Sequence, residues 1–254
     1  MELIETWFRE FYQSSGINLT IVYDGFDRDR FLRGLGNTVI LSVTCLVLSV
    51  LVGILGAWLL GSRFGIVRRF VQGYVQIFRN TPPLAQLYFF FFALGALLVI
   101  TAELQVGQAT FERQVPALSN YQWAIISLSL FAGAFNVEIF RSGIEAVPET
   151  TIEAAEALGM TRWQIYREVI MPLAFRICLP ALNNNLVNLV KTTTLAYAIA
   201  VPELLYMSNQ IWSDSVNVPE MMMVLLFTYI GLVAILVFGM HRWERAMRLP
   251  GFGQ

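Results

Sequence analysis

The chain has 254 residues, 56% of them hydrophobic and only 14% charged, with a net charge of −1. A soluble domain carries roughly a quarter charged residues, so a single aqueous core is excluded as the home of this much apolar surface, and the bilayer is the expected solvent. The near-neutral balance also excludes a basic footprint for nucleic acid.

Residues 1–30 mix polar and aromatic groups. Trp7, Phe8, Phe11 and Tyr12 fall at helical spacing and give a short helix one apolar face. Such a helix suits the outer membrane surface, with a loosely ordered tail as the alternative. The first apolar run begins only after this segment and is too long for a cleavable signal, so it is expected to insert and stay.

Residues 34–62, 80–102, 114–137 and 221–241 carry no charge if His241 is neutral, and 177–202 carries only Lys191. Each reaches the about 20 residues a spanning helix needs, which predicts five spans. Gly53, Gly56 and Ala57 in the first run let another helix approach closely. Residues 65–80 place Val67, Val71, Tyr74 and Phe78 at helical spacing with Arg and Gln opposite, an amphipathic helix that Pro82 and Pro83 then break or restart. The second run is aromatic, from Tyr88 to Phe92, and 103–120 reads as an outer loop. The third ends near Glu138 and Arg141, three apart on one helix face and able to pair, or to snorkel at the interface.

Eleven of the sixteen arginines fall in 63–79, 138–176 and 242–248. That excess marks these segments as cytoplasmic, with the N-terminus outside and the C-terminus inside. Arg28, Arg30 and Arg33 pull the other way. Cys45 and Cys178 have no metal-ligand spacing and read as small buried hydrophobes. One histidine, His241, gives no basis for a metal site or acid–base catalysis, and no catalytic residue is expected. There is no internal repeat, which argues against a self-contained carrier. The longest loop on the cytoplasmic side, 138–176, is too short for a nucleotide-binding domain, and no GxxxxGK[ST] phosphate loop occurs.

That loop is the informative segment. Pro148 suits a first helical turn. Thr150 stands three before Glu153, the spacing of a capping box. Ala154, Ala155, Ala157 and Leu158 favour helix, and Gly159 can take the left-handed turn that ends one. Thr161 and Gln164 repeat the capping spacing, and Pro172 marks an end or a kink. Two short helices joined at a glycine are predicted, with a small apolar face from Ile152, Ala155 and Leu158. From spacing alone, that face packs either on its own protein or on another.

Glu153, Ala154, Ala155 and Gly159, then Val169, Met171 and Pro172, resemble the EAA-x3-G-x9-I-x-L-P motif of ABC importer permeases, with Val for Ile and Met for Leu. GLGNT at 34–38, RNTPPLAQL at 79–87, VEIFRSGIEAVP at 137–148 and NLVKTTTLAYAIAVPEL at 188–204 look like the polar amino acid uptake subfamily. The resemblance implies an all-α transmembrane domain over 31–241 with a five-span core, a 1–30 extracytoplasmic segment before it and a cytoplasmic tail at 242–254. It implies a multi-pass protein of the bacterial cytoplasmic membrane, one permease subunit of an ATP-driven importer working by alternating access. The coupling helix between the third and fourth spans would use Glu153, Ala154, Ala155, Leu158 and Gly159 to dock an ATPase. The implied partners are two ATPase subunits holding ATP and Mg, a second permease (identical or a sister chain), an extracytoplasmic solute-binding protein and lipid. No cofactor is expected on this chain and no enzymatic activity. A same-build importer of another polar solute such as an opine, a secondary carrier, and a membrane scaffold are the alternatives.

Lys191, the only lysine, lies in an apolar run, where a charge must face protein or water. Asn184, Asn188 and Lys191 trace one stripe, with Thr192, Thr193 and Thr194 following and Asn183 and Asn185 beside it. The stripe either lines a path or bonds helix to helix. Candidates for a substrate path or gate are Lys191, Thr192, Thr194, Asn188 and Asn184, with Glu138, Arg141 and Gln86.

Overall fold

The computed structural model describes residues 2–106 and 109–247. Among the described residues the chain is helical apart from one hairpin and short connections. In order come α1 (Glu2–Ser15), α2 (Thr20–Tyr23), α3 (Gly25–Leu60), α4 (Gly65–Asn80), α5 (Pro83–Tyr88), a π-helical turn (Phe89–Leu94) and α6 (Gly95–Leu97). Strands β1 (Val99–Val106) and β2 (Ala109–Pro116) follow, then α7 (Asn120–Glu145), α8 (Glu149–Ala157) and α9 (Arg162–Gln164). A π-helical turn (Ile165–Ile170), α10 (Met171–Thr192), a 3₁₀ turn (Thr193–Ile199), α11 (Leu204–Ser215) and α12 (Val218–Met247) complete it.

Among the described residues, three helices are long and apolar enough to cross a membrane: α3, α7 and α12. The second apolar run differs from expectation. Its helix covers only Pro83–Leu97, and the chain is a strand from Val99. The physical reason lies in the β-branched Val99, Ile100 and Thr101, followed by the alternation of Glu103, Leu104, Gln105 and Val106. The expected outer loop at 103–120 is therefore mostly an antiparallel hairpin, with Val99 opposite Pro116 and Val106 opposite Ala109. In the expected tail at 242–254, α12 runs on to Met247, and residues 248–254 lie outside the described residues.

The chain forms two compact units. Unit 1 comprises Met1–Cys45, Pro83–Leu128 and Val190–Leu232. Its buried core includes Leu41, Leu87, Trp123, Leu128, Leu204, Ile211 and Met221. The α10–α11 connection here is a 3₁₀ turn that ends at Ala200, which adopts φ +55, a left-handed conformation costly for a residue with a Cβ. Side chains hold it. Asn120 donates to the Ile199 and Ala200 carbonyls at 3.2 and 2.6 Å, and Asn37 to the Pro202 carbonyl at 2.7 Å. The Leu204 N–H donates to Thr38 Oγ1 at 2.9 Å. Glu203, fully buried, accepts from the Leu205 and Tyr206 N–H groups as the α11 N-cap, and from the Tyr229 hydroxyl at 3.0 Å.

Unit 2 comprises Leu46–Pro82, Ser129–Leu189 and Val233–Gln254. Val71, Val75 and Val137 pack with Leu59, Leu60 and Tyr74, so α4 uses its apolar stripe as its spacing predicts. The Tyr74 hydroxyl donates to the Leu130 carbonyl at 2.6 Å. A second cluster joins Leu182, Leu186 and Met240. The close approach expected of Gly53 and Gly56 is present: a Cβ at either would lie 2.4 Å from Asn136 Cβ or 2.3 Å from Val137 Cγ2.

The loop of unit 2 folds as two short helices about a glycine. Gly159 has φ +78, the left-handed turn required there. The Thr161–Gln164 capping box forms, each side chain meeting the other residue's N–H. The Thr150–Glu153 box does not: α8 starts one residue before Thr150, with Pro148 at the N-cap position and no side-chain cap. Pro172 does not end the helix: the π-helical turn Ile165–Ile170 runs directly into α10, and the proline, with no N–H to donate, directly follows this widened turn, the kind of irregularity that bends a helix. Thr161→Ala removes one cap and should cost about 1 kcal/mol. Thermal unfolding of the purified protein in detergent, with wild type alongside, measures it.

Candidate functional site

The α8–α9 knob sorts its residues by side. Ala155 is 5% exposed and Ile152 half-buried, so both pack inside unit 2. Glu153, Ala154 and Gly159 are exposed, and Leu158 is 82% exposed. Trp163, 68% exposed, stacks on Tyr166 with ring centroids 6.3 Å apart. The helix pair thus leaves an apolar leucine and a tryptophan exposed on its outer side. The sequence reading put Ile152, Ala155 and Leu158 on one face; the structure separates Leu158 from the other two, because the helix ends at Ala157 and the chain turns toward Gly159.

A second feature of unit 2 is a polar cavity of about 590 Å³ between α4 and α7. Arg68, Gln72 and Gln76 line it from α4, and Glu138, Arg141 and Glu145 from α7. The expected Glu138–Arg141 pair forms with fork geometry, Arg141 Nη2 lying 2.6 Å from Glu138 Oε1 and Nε 3.1 Å from Oε2. Arg141 Nη1 also donates to Glu145. Bidentate pairing fixes the guanidinium plane as well as its charge. The cavity thus offers both signs of charge and two amides, the chemistry a zwitterion needs. Sequence reading missed Arg68, Gln72 and Gln76. Their i, i+4, i+8 spacing on α4 was the available signal.

The α10 asparagines divide between the two roles left open for them. Asn185 Nδ2 donates to the Ala132 carbonyl at 3.1 Å and to Asn136 Oδ1 at 2.7 Å, and Asn183 Nδ2 donates to Glu244 at 3.3 Å. Those two join helices. Asn184, Asn188 and Lys191 are exposed along one side of α10. Thr193 is buried and its hydroxyl donates to the Val190 carbonyl; Thr194, half-buried like Thr192, donates to the Lys191 carbonyl. Gln86 is buried in α5 and belongs to unit 1 with Lys191, whereas Glu138 and Arg141 belong to unit 2. Of the candidate path residues, the structure therefore brings Glu138 and Arg141 together and groups Asn184, Asn188 and Lys191 on one helix face.

Comparison with known proteins bears on the chain as a whole. The family described as "Binding-protein-dependent transport system inner membrane component" matches residues 49–249. The Glutamate/aspartate import permease protein GltJ of Escherichia coli is 30% identical over 203 residues, 77% of this chain and 81% of the relative. The Probable amino-acid permease protein YxeN of Bacillus subtilis is 26% identical over 219 residues, covering 86% and 92%. Among solved structures, that of an amino acid ABC transporter with histidines superposes with a TM-score of 0.74 at 25% identity, covering 86% of this chain and 94% of that one. With α3, α7 and α12 apolar enough to cross a bilayer and the family match running through the knob, the cavity and α10, the chain belongs to the inner-membrane components of binding-protein-dependent transport systems.

Proposed function

We propose that the chain is a permease subunit of an ATP-driven importer of polar amino acids. The observation that carries this reading is the EAA loop: a glycine-terminated helix pair that holds Leu158 and Trp163 out of the fold, in a chain matched to the family over 49–249. The knob is the coupling helix. It docks a separate ATPase, which holds ATP and Mg and does the hydrolysis. Leu158, with Ala154, Glu153 and Gly159, meets that subunit, while Ala155 supports the knob from inside.

The chain crosses the membrane five times, its N-terminus outside and its C-terminus inside. The charge bias of the arginines supports this orientation. In the two shorter crossings, the segment from Pro83 to Leu97 and α10, the polar atoms are covered by protein or water rather than lipid. Two permease subunits enclose the path, and a solute-binding protein delivers substrate from outside. Lys191, Asn188 and Asn184 line the path. Glu138 and Arg141, with Gln72 and Gln76, offer a zwitterion its counter-charges nearer the cytoplasm. Gln86, Thr192 and Thr194 support the path from within.

The test is reconstitution in proteoliposomes with the ATPase and the binding protein, screening labelled amino acids and an opine. ATP-dependent accumulation of an amino acid is expected. Uptake along an ion gradient without the ATPase overturns the reading in favour of a carrier. In the same vesicles Lys191→Ala should lower uptake about tenfold or more, the loss of one charge-assisted contact of roughly 1.5–3 kcal/mol, with assembly intact. Undiminished uptake removes Lys191 from the path.

A further inference from the structure

Helix α1 precedes the segment matched by the family, and its aromatic face is unclaimed by the mechanism above. Leu3 is 88% and Trp7 57% exposed, and Tyr12 is exposed as well. Trp7 stacks on Phe11 with centroids 5.3 Å apart and meets Phe8 edge-on at 4.9 Å. The result is a preformed aromatic surface rather than loose side chains.

The polar side of α1 is fastened to unit 1. Glu5 pairs with Arg28 at 3.2 Å, and the Arg9 guanidinium sits 5.5 Å from the Tyr23 ring centroid. The connection after α1 is fastened to the start of α12. The Asn18 N–H donates to Glu220 Oε1 at 2.9 Å, and Asn217 Nδ2 donates to the Asn18 carbonyl at 3.0 Å. α12 is one of the three membrane-length helices, and its first turns expose Val218, Met222 and Met223. Exposed apolar side chains on such a helix face lipid, so its beginning marks the edge of the hydrocarbon. The connection that follows α1 is bonded to that edge, which sets the helix beside it.

We propose that α1 is an interfacial helix whose Leu3–Trp7–Phe11 face sinks into the lipid at the headgroup–acyl boundary. Trp and Tyr are the residues that favour this depth, because their rings are apolar at one end and polar at the other. The charge on α1 specifies the lipid term further. Glu2, Glu5 and Glu10 outnumber Arg9, so anionic headgroups do not attract it. What holds it is apolar burial, together with the high local concentration imposed by its ion pair to α3 and by the bonds of the connection after it to α12. Insertion should therefore occur in neutral lipid and not depend on anionic lipid. This extends the transport reading but does not rest on the substrate or the ATPase, so failure of either leaves the other standing.

The test uses the full chain in nanodiscs of phosphatidylcholine, alone or mixed with phosphatidylglycerol. With Cys45 and Cys178 replaced by Ala, single spin labels are placed through Leu3→Cys, Trp7→Cys, Thr6→Cys and Gln13→Cys. The ratio of collisions with oxygen to collisions with a water-soluble nickel chelate is expected to be several-fold higher at 3 and 7 than at 6 and 13, in both lipids. Equal, nickel-dominated collisions at all four sites overturn the proposal. So does a label at 3 or 7 that stays in water until the solute-binding protein is added, which would make the face a protein dock. The unaltered chain gives an independent reading. A phosphatidylcholine carrying a photoactivated diazirine should leave adducts on Leu3 or Trp7, and their absence, with adducts present on α12, also overturns it.

Discussion

Leu158→Asp abolishes ATP-driven uptake in reconstituted vesicles while the chain still inserts and pairs. Leu158 is 82% exposed just beyond α8, where the chain turns into Gly159, so nothing in its own fold depends on its apolar character. An exposed leucine replaced by aspartate changes stability by only a few tenths of a kcal/mol. In a docked interface the same carboxylate must shed its water without a designed partner, which costs at least several kcal/mol. The expected readout is loss of ATPase capture by the purified permease together with loss of uptake, at unchanged thermal stability. Ala155→Trp behaves differently. Ala155 is buried, so the indole overpacks unit 2 and lowers stability before any partner is present. Retained ATPase capture by Leu158→Asp removes the knob from the docking surface.

Gly56→Leu prevents accumulation of folded protein. A Cβ at position 56 would lie 2.3 Å from Val137 Cγ2, and Val137 is fully buried in the cluster with Val71 and Val75. There is no flexible side-chain end to yield: Val137 is β-branched, stiff at χ1, and held on a helix. Relief requires α3 and α7 to separate along this stretch, where Gly53 and Gly133 are equally tight, so the cost exceeds the usual 1–3 kcal/mol of overpacking. Fluorescence-detected size exclusion of the detergent-extracted protein checks this. Gly36→Leu, at a glycine with open space around it, is the control and should remain monodisperse. A monodisperse peak for Gly56→Leu refutes the close contact.

The sequence made these two features legible for different reasons. The α3 glycines and the Gly159 turn are local: absence of a Cβ has one or two physical uses, and spacing chooses between them. The α4 stripe was legible because Val71 and Tyr74 repeat at helical period in a segment otherwise rich in Arg and Gln. The hairpin was not, since an uncharged run reads as a span until its β-branched content is weighed against its length. The Thr150–Glu153 box failed because Pro148, whose ring fixes the entry angle, set the helix start one residue before Thr150. Glu203 and its neighbours were beyond sequence reading altogether. A buried carboxylate that receives N–H groups from its own turn and a hydroxyl from a residue 26 positions on is defined only by the assembled fold. Arg68, Gln72 and Gln76 are an intermediate case: their shared face on α4 is legible from spacing, but only the assembled fold sets Glu138 and Arg141 opposite them.

The turn from Ile199 to Leu204 carries one more implication. Its backbone groups bond to Asn37 and Thr38 on α3 and to Asn120 on α7, and Glu203 within it accepts from the Tyr229 hydroxyl on α12. Each bond contributes about 1 kcal/mol net, and each depends on the turn keeping its left-handed Ala200. The four side-chain bonds come from α3 and α7, so the turn ties those two helices to the start of α11, and neither can draw away from it without giving up a bond.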